Sequence, residues 1–165
     1  MLRLLELPIE DNKIIAFATE PIECTLADLF RNPTRRSEII PSELELKANL
    51  MELCNAVAFL HQTARIVHNC INLDHIFFTR DRKLKLGGFY FSKQSTSDVD
   101  SIEISLDFSP QPKGVPIMLP DLRFSAPEVV KDSKASMLSD LFSLGCVLYS
   151  AASLRSVKME TPYFL

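Results

Sequence analysis

The stretch Ile66–Phe78 reads Ile-Val-His-Asn-Cys-Ile-Asn-Leu-Asp-His-Ile-Phe-Phe, and the interpretation of the whole chain starts from it. Its two ends are apolar and rich in β-branched or aromatic residues, while its centre is polar. This pattern predicts a short strand at Ile66–Val67, a polar loop, and a second strand at Ile76–Thr79. Leu84–Leu86 resumes the apolar pattern after the turn-like Arg80-Asp81-Arg82, so it should form a strand pair with Ile76–Thr79.

Two long apolar segments flank this stretch. Upstream, Ser42 and Glu45 form a capping-box pattern, and apolar residues then recur at helical spacing, which predicts a helix over Glu43–His61. Downstream, Met137–Leu154 is strongly apolar and predicts a second helix. Its longest uncharged run, Leu141–Leu154, is shorter than the roughly 20 apolar residues that cross a membrane, so a buried core helix is expected.

The first twenty residues predict two strands. These are Leu2–Leu7 and Lys13–Thr19, joined at the turn-like Glu10-Asp11-Asn12. Pro21 is interpreted as the end of this sheet. The sequence therefore predicts a small antiparallel sheet at the start of the chain.

Two further segments lie between or beyond these elements. Thr25 and Asp28 form a capping-box pattern that predicts a short helix over Leu26–Phe30. The segment Ser92–Pro120 is rich in Ser, Asp and Pro and has no clean period. It is predicted to be one long loop, and loops of this length in a domain are often functional.

Composition excludes several classes of function. The chain has 165 residues, of which 47% are hydrophobic and 24% charged, as is usual for one globular domain. The formal net charge of −3 gives no basic excess that would favour nucleic acid. The four glycines form neither a G-x-G-x-x-G motif nor a P-loop, which excludes a glycine-cradled phosphate site. No C-x-x-C pair occurs among the four cysteines, which favours reduced thiols in an intracellular protein.

The order of elements and four motifs together resemble the C-lobe of a protein kinase. His68–His75 stands where kinases carry the H-R-D-L-x-x-x-N catalytic loop, and Leu86-Gly87-Gly88-Phe89-Tyr90 stands at the D-F-G segment. Ala126-Pro127-Glu128 is an intact A-P-E, and Ser139–Gly145 resembles the S-D-V-W-S-x-G opening of the helix that anchors the lobe. The resemblance implies an α+β, protein-kinase-like fold.

This resemblance covers nearly the whole chain, residues 1–165. Residues 1–20 would be the end of the N-lobe sheet, and residues 21–165 the hinge and C-lobe through the anchoring helix. The Gly-rich loop, the strand lysine and the later helix whose Arg pairs with Glu128 are not among these residues. The expectation is therefore a partial kinase-like domain, a fragment or truncated product.

The chemical positions of the family are altered here. By resemblance, Cys70 replaces the catalytic Asp, Asn72 the phosphate-facing Lys, His75 the Mg²⁺-binding Asn and Gly88 the Asp of D-F-G. Mg²⁺ requires oxygen ligands, which Cys, His and Gly side chains do not supply. Phe77 stands on the floor of the adenine pocket, where the family has a smaller residue. The resemblance thus implies no catalytic residue, no resident metal and no bound ATP.

The residues that match the family are structural ones. By resemblance, His68 and Phe89 belong to a hydrophobic spine, and Asp140 would hydrogen-bond the backbone of the catalytic loop. Ala126, Pro127, Glu128 and Gly145 complete the retained set. A retained scaffold with altered chemical positions is typical of a pseudokinase. The residues leave one alternative open, namely a Cys–His nucleophile or soft metal site at Cys70.

One subgroup is more similar than the rest. The hinge segment Ala16–Pro21, the loop start Val67-His68-Asn69 and the strand running into Gly88-Phe89-Tyr90 resemble the Scy-like pseudokinases, in particular the clathrin-vesicle-associated branch. This implies a cytoplasmic scaffold or adaptor, peripheral on endosome and trans-Golgi vesicles. Its protein partners, such as clathrin coat or adaptor proteins, would bind through regions outside this chain. The alternative is an ATP-binding kinase with atypical catalytic residues.

Overall fold

The structure is a computed structural model that describes residues 1–5, 9–11, 14–16, 18–32, 34, 39, 42–95, 102–103 and 121–153. The chain divides into two compact units. The first combines Met1–Ala58 with Leu73–Gly88, and the second combines Phe59–Asn72 with Phe89–Leu165. The division at residue 20 that the sequence suggests stays a prediction.

The first unit begins with a short hairpin rather than the predicted long one. Strands β1 (Ile9–Asp11) and β2 (Ile14–Ala16) pair antiparallel. The segment 2–5, the described part of the predicted strand Leu2–Leu7, is not a regular strand, but it does pair with the second segment. Leu4 and Thr19 form an isolated bridge, and the N–H groups of Leu5 and Glu20 donate to the carbonyls of Ala18 and Arg3. Residues 6–8 lie outside the described residues. Glu10 and Asp11 were expected in the turn, but a strand is built from backbone hydrogen bonds, which polar residues supply equally well.

A three-stranded antiparallel sheet lies at the centre of the first unit. Its strands are β3 (Ile22–Thr25), β5 (Ile76–Thr79) and β6 (Leu84–Leu86), in the order β3-β5-β6. The predicted β5–β6 pair is confirmed. Strand β3 was missed because Pro21 was interpreted as the end of the sheet. Proline is tolerated just before a strand, where its missing N–H is not needed.

Two helices pack in the first unit. Helix α1 (Leu26–Arg31) begins with the predicted capping box, in which Thr25 and Asp28 exchange two hydrogen bonds. Helix α2 (Glu43–Phe59) ends two residues before the predicted end, because the chain continues as a π-helical turn over Leu60–Ala64. The side chain of Asn49 on α2 donates to the carbonyl of Arg82 at 3.0 Å, which ties the helix to the β5–β6 turn.

The second unit contains two small strand pairs. Strand β4 (Ile66–Val67) pairs with β7 (Lys93–Gln94), and β8 (Ile102–Glu103) pairs with β9 (Lys134–Ala135). The prediction of a single loop over Ser92–Pro120 is therefore wrong at β7 and β8. Residues 96–101 and 104–120 of that segment lie outside the described residues.

Two helices follow in the second unit. Helix α3 (Pro127–Asp132) was not predicted; it begins at a proline, whose fixed φ and missing N–H suit the first helical position. Helix α4 (Met137–Ser153) confirms the predicted second long helix. Among the residues described, none of the helices combines the length and the apolar content needed to cross a bilayer.

Candidate functional site

The counterpart of the catalytic loop follows β4 in the second unit. His68, Cys70 and Asn72 are buried, with His68 fully so. The carboxylate of Asp140 on α4 accepts hydrogen bonds from the backbone N–H of His68 at 2.6 Å and of Asn69 at 2.8 Å. The resemblance implied bonds from Asp140 to the loop backbone, and the structure contains these two.

A third donor reaches the same carboxylate. The Nε2 atom of His61 lies 2.9 Å from Oδ2 of Asp140, and both side chains are buried. His61 belongs to the π-helical turn that follows α2. Sequence reasoning missed it, because it was counted as the last residue of an apolar helix. Its only local signal is its place as the first polar residue after the apolar run 56–60.

The His68 ring packs and hydrogen-bonds within the loop. Its centroid lies 4.6 Å from that of the Phe89 ring, at an interplanar angle of 55°. Its Nδ1 atom accepts a hydrogen bond from the backbone N–H of Cys70 at 3.2 Å. The Phe89 ring is itself partly exposed, at 37% of its maximum. The His68 contacts are those of a structural histidine.

Cys70 has the properties of a buried, neutral thiol. Burial raises the pKa of Cys70 to about 12, and the nearby charges of Asp121 and Asp140 act in the same direction. The thiol is therefore protonated at neutral pH, whereas nucleophiles and metal ligands are thiolates. The Asn72 amide lies 3.9 Å from the Cys70 sulfur, at the limit of a hydrogen bond. No group of three His, Cys, Asp or Glu side chains in the described part of the chain is placed to hold a metal ion.

In the first unit, His75 and Gly88 occupy one small space. His75 ends a 3₁₀ turn, Leu73–His75, and its carbonyl accepts a hydrogen bond from the N–H of Gly87 at 3.0 Å. Gly88 has a φ of +78°, and a Cβ atom built on it would lie 2.7 Å from Cδ2 and 2.8 Å from Cβ of His75. Real Cβ contacts are essentially never closer than 3.0 Å. A side chain at position 88 would therefore collide with His75.

Phe77 lies beside the other glycine of this segment. A Cβ atom on Gly87 would lie 2.6 Å from Cε2 of Phe77 and 3.6 Å from Cδ2 of Leu2. The N–H of Leu2 donates to the carbonyl of Leu86 at 2.8 Å, which fixes the start of the chain beside β6. The large Phe77 ring thus takes up the space that Gly87 leaves open.

The A-P-E residues belong to the second unit. Ala126 is fully buried and packs with Val129 and Ala135. Pro127 begins α3. The carboxylate of Glu128 accepts a hydrogen bond from the hydroxyl of Ser139 at 2.7 Å, and the Glu128 residue is exposed. Glu128 therefore needs no arginine to compensate for burial.

Gly145, the last residue of the motif on α4, is exposed. Apart from its chain neighbours and the backbone of its own helix, no described heavy atom would lie within 4 Å of a Cβ atom built on it.

The kinase fold implies a magnesium ion with ATP, and the side chains at the metal positions do not fit that ion. Mg²⁺ is bound through oxygen atoms in octahedral geometry. His75 offers nitrogen and Gly88 offers no side chain. The position of the D-F-G carboxylate is blocked by the imidazole, as the contacts above show.

Comparison with known proteins agrees with this fold. The model of the family described as "Protein kinase domain" matches residues 2–161. The chain is 28% identical over 153 residues to human SCY1-like protein 2, covering 87% of this chain and 16% of that protein. It is 27% identical over 156 residues to the protein kinase-like protein SCY1 of Saccharomyces cerevisiae, covering 90% and 19%.

A rice protein, the serine/threonine-protein kinase Nek3 of Oryza sativa subsp. japonica, is 32% identical over 114 residues, covering 69% of this chain and 17% of that protein. The chain thus spans less than a fifth of the length of these three relatives. The predicted α+β, protein-kinase-like fold is confirmed. The chain belongs to the protein kinase domain family, and SCY1-like proteins of human and yeast are among its relatives.

Proposed function

We propose that this chain is a catalytically inactive protein-kinase-like domain that acts as a protein-binding scaffold. The observation that carries the proposal is the contact between His75 and position 88, which leaves no room for the D-F-G carboxylate. Kinases transfer phosphate by positioning the nucleophile and by neutralising phosphate charge with bound metal ions.

The position of the general base adds to this argument. Cys70 is a buried thiol with a pKa of about 12, which cannot accept a proton from a substrate hydroxyl at neutral pH. Loss of a general base alone lowers a rate by about 10²–10⁴. With both the base and the metal ligands replaced, the retained residues are those that maintain the fold, which is what a scaffold requires.

We further propose a role in clathrin-linked traffic between endosomes and the trans-Golgi network. The similarity to SCY1-like proteins of human and yeast supports it, together with the Scy-like hinge and loop residues. Clathrin coat or adaptor proteins would bind through regions outside these 165 residues. The domain would then work in the cytoplasm, peripherally on vesicles.

A phosphotransfer assay tests the central proposal. The natural full-length protein that carries this domain is purified, and transfer from ATP to itself and to a general protein acceptor is measured with Mg²⁺. We expect no transfer above a mock purification. A Cys70→Ala variant reports on the site, and Gly145→Ala, at an open position, is the matched control. Transfer that Cys70→Ala abolishes and Gly145→Ala leaves intact would contradict the proposal.

A second candidate function is an ATP-binding kinase with atypical residues. The similarity to a rice protein named as a serine/threonine-protein kinase favours it. A thermal shift assay with millimolar ATP, with and without Mg²⁺, separates the two candidates, because a ligand that binds the native state raises Tm. A saturable rise would favour the second candidate, and an unchanged Tm would exclude it.

A further inference from the structure

We infer that His75 makes glycine obligatory at position 88, so that the D-F-G acid cannot be restored by one substitution. This inference deepens the proposed loss of catalysis and rests on the same site. In the proposed function, Gly88 has no carboxylate for the metal ion. Beyond that, His75 prevents a carboxylate from being placed there.

The backbone alone does not require glycine at this position. Its φ of +78° lies in the left-handed region, which glycine enters freely. Aspartate and asparagine are the other residues that enter it most readily. The backbone of Gly88 would therefore accept an aspartate with modest strain, and the obstacle must lie elsewhere.

The obstacle is steric, and it comes from a single neighbour. The three heavy atoms nearest to a Cβ on Gly88 all belong to His75, and they include its own Cβ at 2.8 Å. Rotation of the imidazole moves Cδ2 away but leaves the His75 Cβ where it is. Relief therefore requires movement of the backbone at one of the two residues.

The surrounding strands resist such a movement. The carbonyl of His75 accepts the N–H of Gly87, and the next residue, Ile76, pairs with Leu86 across the β5–β6 hairpin. Both Ile76 and Leu86 are fully buried. Close-packed interiors transmit strain rather than absorb it. The hairpin register therefore fixes His75 against Gly88.

Gly87 provides an instructive contrast. A Cβ there would meet Cε2 of Phe77 at 2.6 Å, but that atom is the far end of a side chain that can turn. The neighbour of Gly88 is the root of the His75 side chain, on the residue just before β5 whose carbonyl accepts the N–H of Gly87. Of the two glycines, position 88 is the one at which substitution cannot be relieved by a rotamer change.

A double-mutant cycle in the full chain tests the inference. Gly88→Ala adds the one atom in question, and it is made in the native background and in a His75→Gly background, which removes the His75 Cβ as well as the ring. In the native background we expect a Tm lower by about 4–10 °C, as typical overpacking predicts for a domain of this size. In the His75→Gly background we expect a smaller loss, because all three close atoms are gone and only the strain of alanine at the left-handed φ remains.

Gly145→Ala is the matched control, since it adds the same atom at an open position and should not lower Tm. Equal losses from Gly88→Ala in both backgrounds would overturn the inference. If Gly88→Ala does not fold alone, recovery of folding in the double variant supports it, and failure of the double variant where His75→Gly folds overturns it. If His75→Gly does not fold, His75→Ala replaces it; this variant keeps the Cβ contact and removes the ring, so a partly reduced loss supports the inference and an undiminished loss overturns it.

The stability cycle and the phosphotransfer assay are independent. Phosphate transfer by the natural protein would contradict the proposed function without changing the measured coupling. Additive Tm losses would remove the steric explanation while leaving the absence of a carboxylate at position 88 unchanged. Failure of one proposal is therefore distinguishable from failure of the other.

Discussion

Asp140→Asn is the substitution that most directly tests what holds the catalytic-loop counterpart. Oδ2 of Asp140 accepts the backbone N–H of His68 at 2.6 Å and faces Nε2 of His61 at 2.9 Å, while Oδ1 accepts the N–H of Asn69 at 2.8 Å. Asparagine has the same shape but a single acceptor oxygen. If that oxygen takes the place of Oδ2, the new side-chain amide at position 140 faces the N–H of Asn69, donor against donor.

The expected loss follows from these bonds. A hydrogen bond to a charged group contributes about 1.5–3 kcal/mol and a neutral one about 0.5–1.5 kcal/mol. One bond is lost, and the two that remain become neutral, so the free energy of unfolding should fall by about 3–5 kcal/mol. In a domain of this size that lowers Tm by roughly 6–20 °C. This is a large part of a typical stability of about 5–15 kcal/mol.

Urea unfolding followed by far-UV circular dichroism measures this loss. We expect a lower midpoint with an unchanged m value, and faster hydrogen exchange at the amides of His68 and Asn69. Asp132→Asn is the matched control, because it makes the same change of charge at an exposed position on α3 and should leave the midpoint unchanged. A loss below about 1 kcal/mol in Asp140→Asn would refute the reasoning, since a buried hydrogen-bonded carboxylate cannot be that dispensable.

Three further outcomes are expected. Hydrogen bonds from the backbone and hydroxyl of Thr25 lower the pKa of Asp28 below its usual 3.8, so its stabilisation is present above that pH and is lost as the pH falls through the folded-state pKa. Asp28→Asn should accordingly destabilise at neutral pH and not in strong acid, and an equal loss of the urea midpoint at both would contradict this. Gly145→Ala should raise Tm by about 1–4 °C through helix propensity, and a lower Tm would show hidden crowding. Because the pKa of Cys70 is about 12, iodoacetamide at mildly alkaline pH should label it in urea and not in the native state, and rapid native labelling seen by mass spectrometry would contradict its burial.

Helices α1, α2 and α4 and the β5–β6 hairpin could be predicted because their signals are local. Helix α4 follows from its apolar content, and α1 from a capping box that the structure contains bond for bond. Strand β3 could not be predicted in this way, because its partner β5 lies about 50 residues away in the chain and its four residues are too few for their alternation to indicate a strand. Strands β7 and β8, with two residues each, are shorter still.

The candidate site was predictable in its chemistry and not in its contacts. The residue types at positions 70, 75 and 88 are sufficient to argue that oxygen ligands are missing. The collision at Gly88 depends on how the β5–β6 hairpin is registered, and the Cys70 pKa depends on burial and on acids distant in sequence. His61 was missed because its partner, Asp140, lies 79 residues further along the chain.

The Asp140 hydrogen bonds and the His75–Gly88 contact respond differently to substitution. This difference explains how the loop can stay ordered while the residues at the chemical positions change. Asp140 holds the loop through backbone N–H groups, so the bonds at His68 and Asn69 form whatever side chain stands at position 70. A cysteine at the position of the family's catalytic Asp is therefore compatible with an ordered loop. The His75 side chain instead occupies the space that a side chain at position 88 would need, so the residue at one position limits the residue at the other. The loop bonds therefore require Asp140 and set no condition on the side chain at position 70 beyond a fit to its buried surroundings, while the His75–Gly88 contact makes a metal-binding carboxylate at position 88 a two-step change.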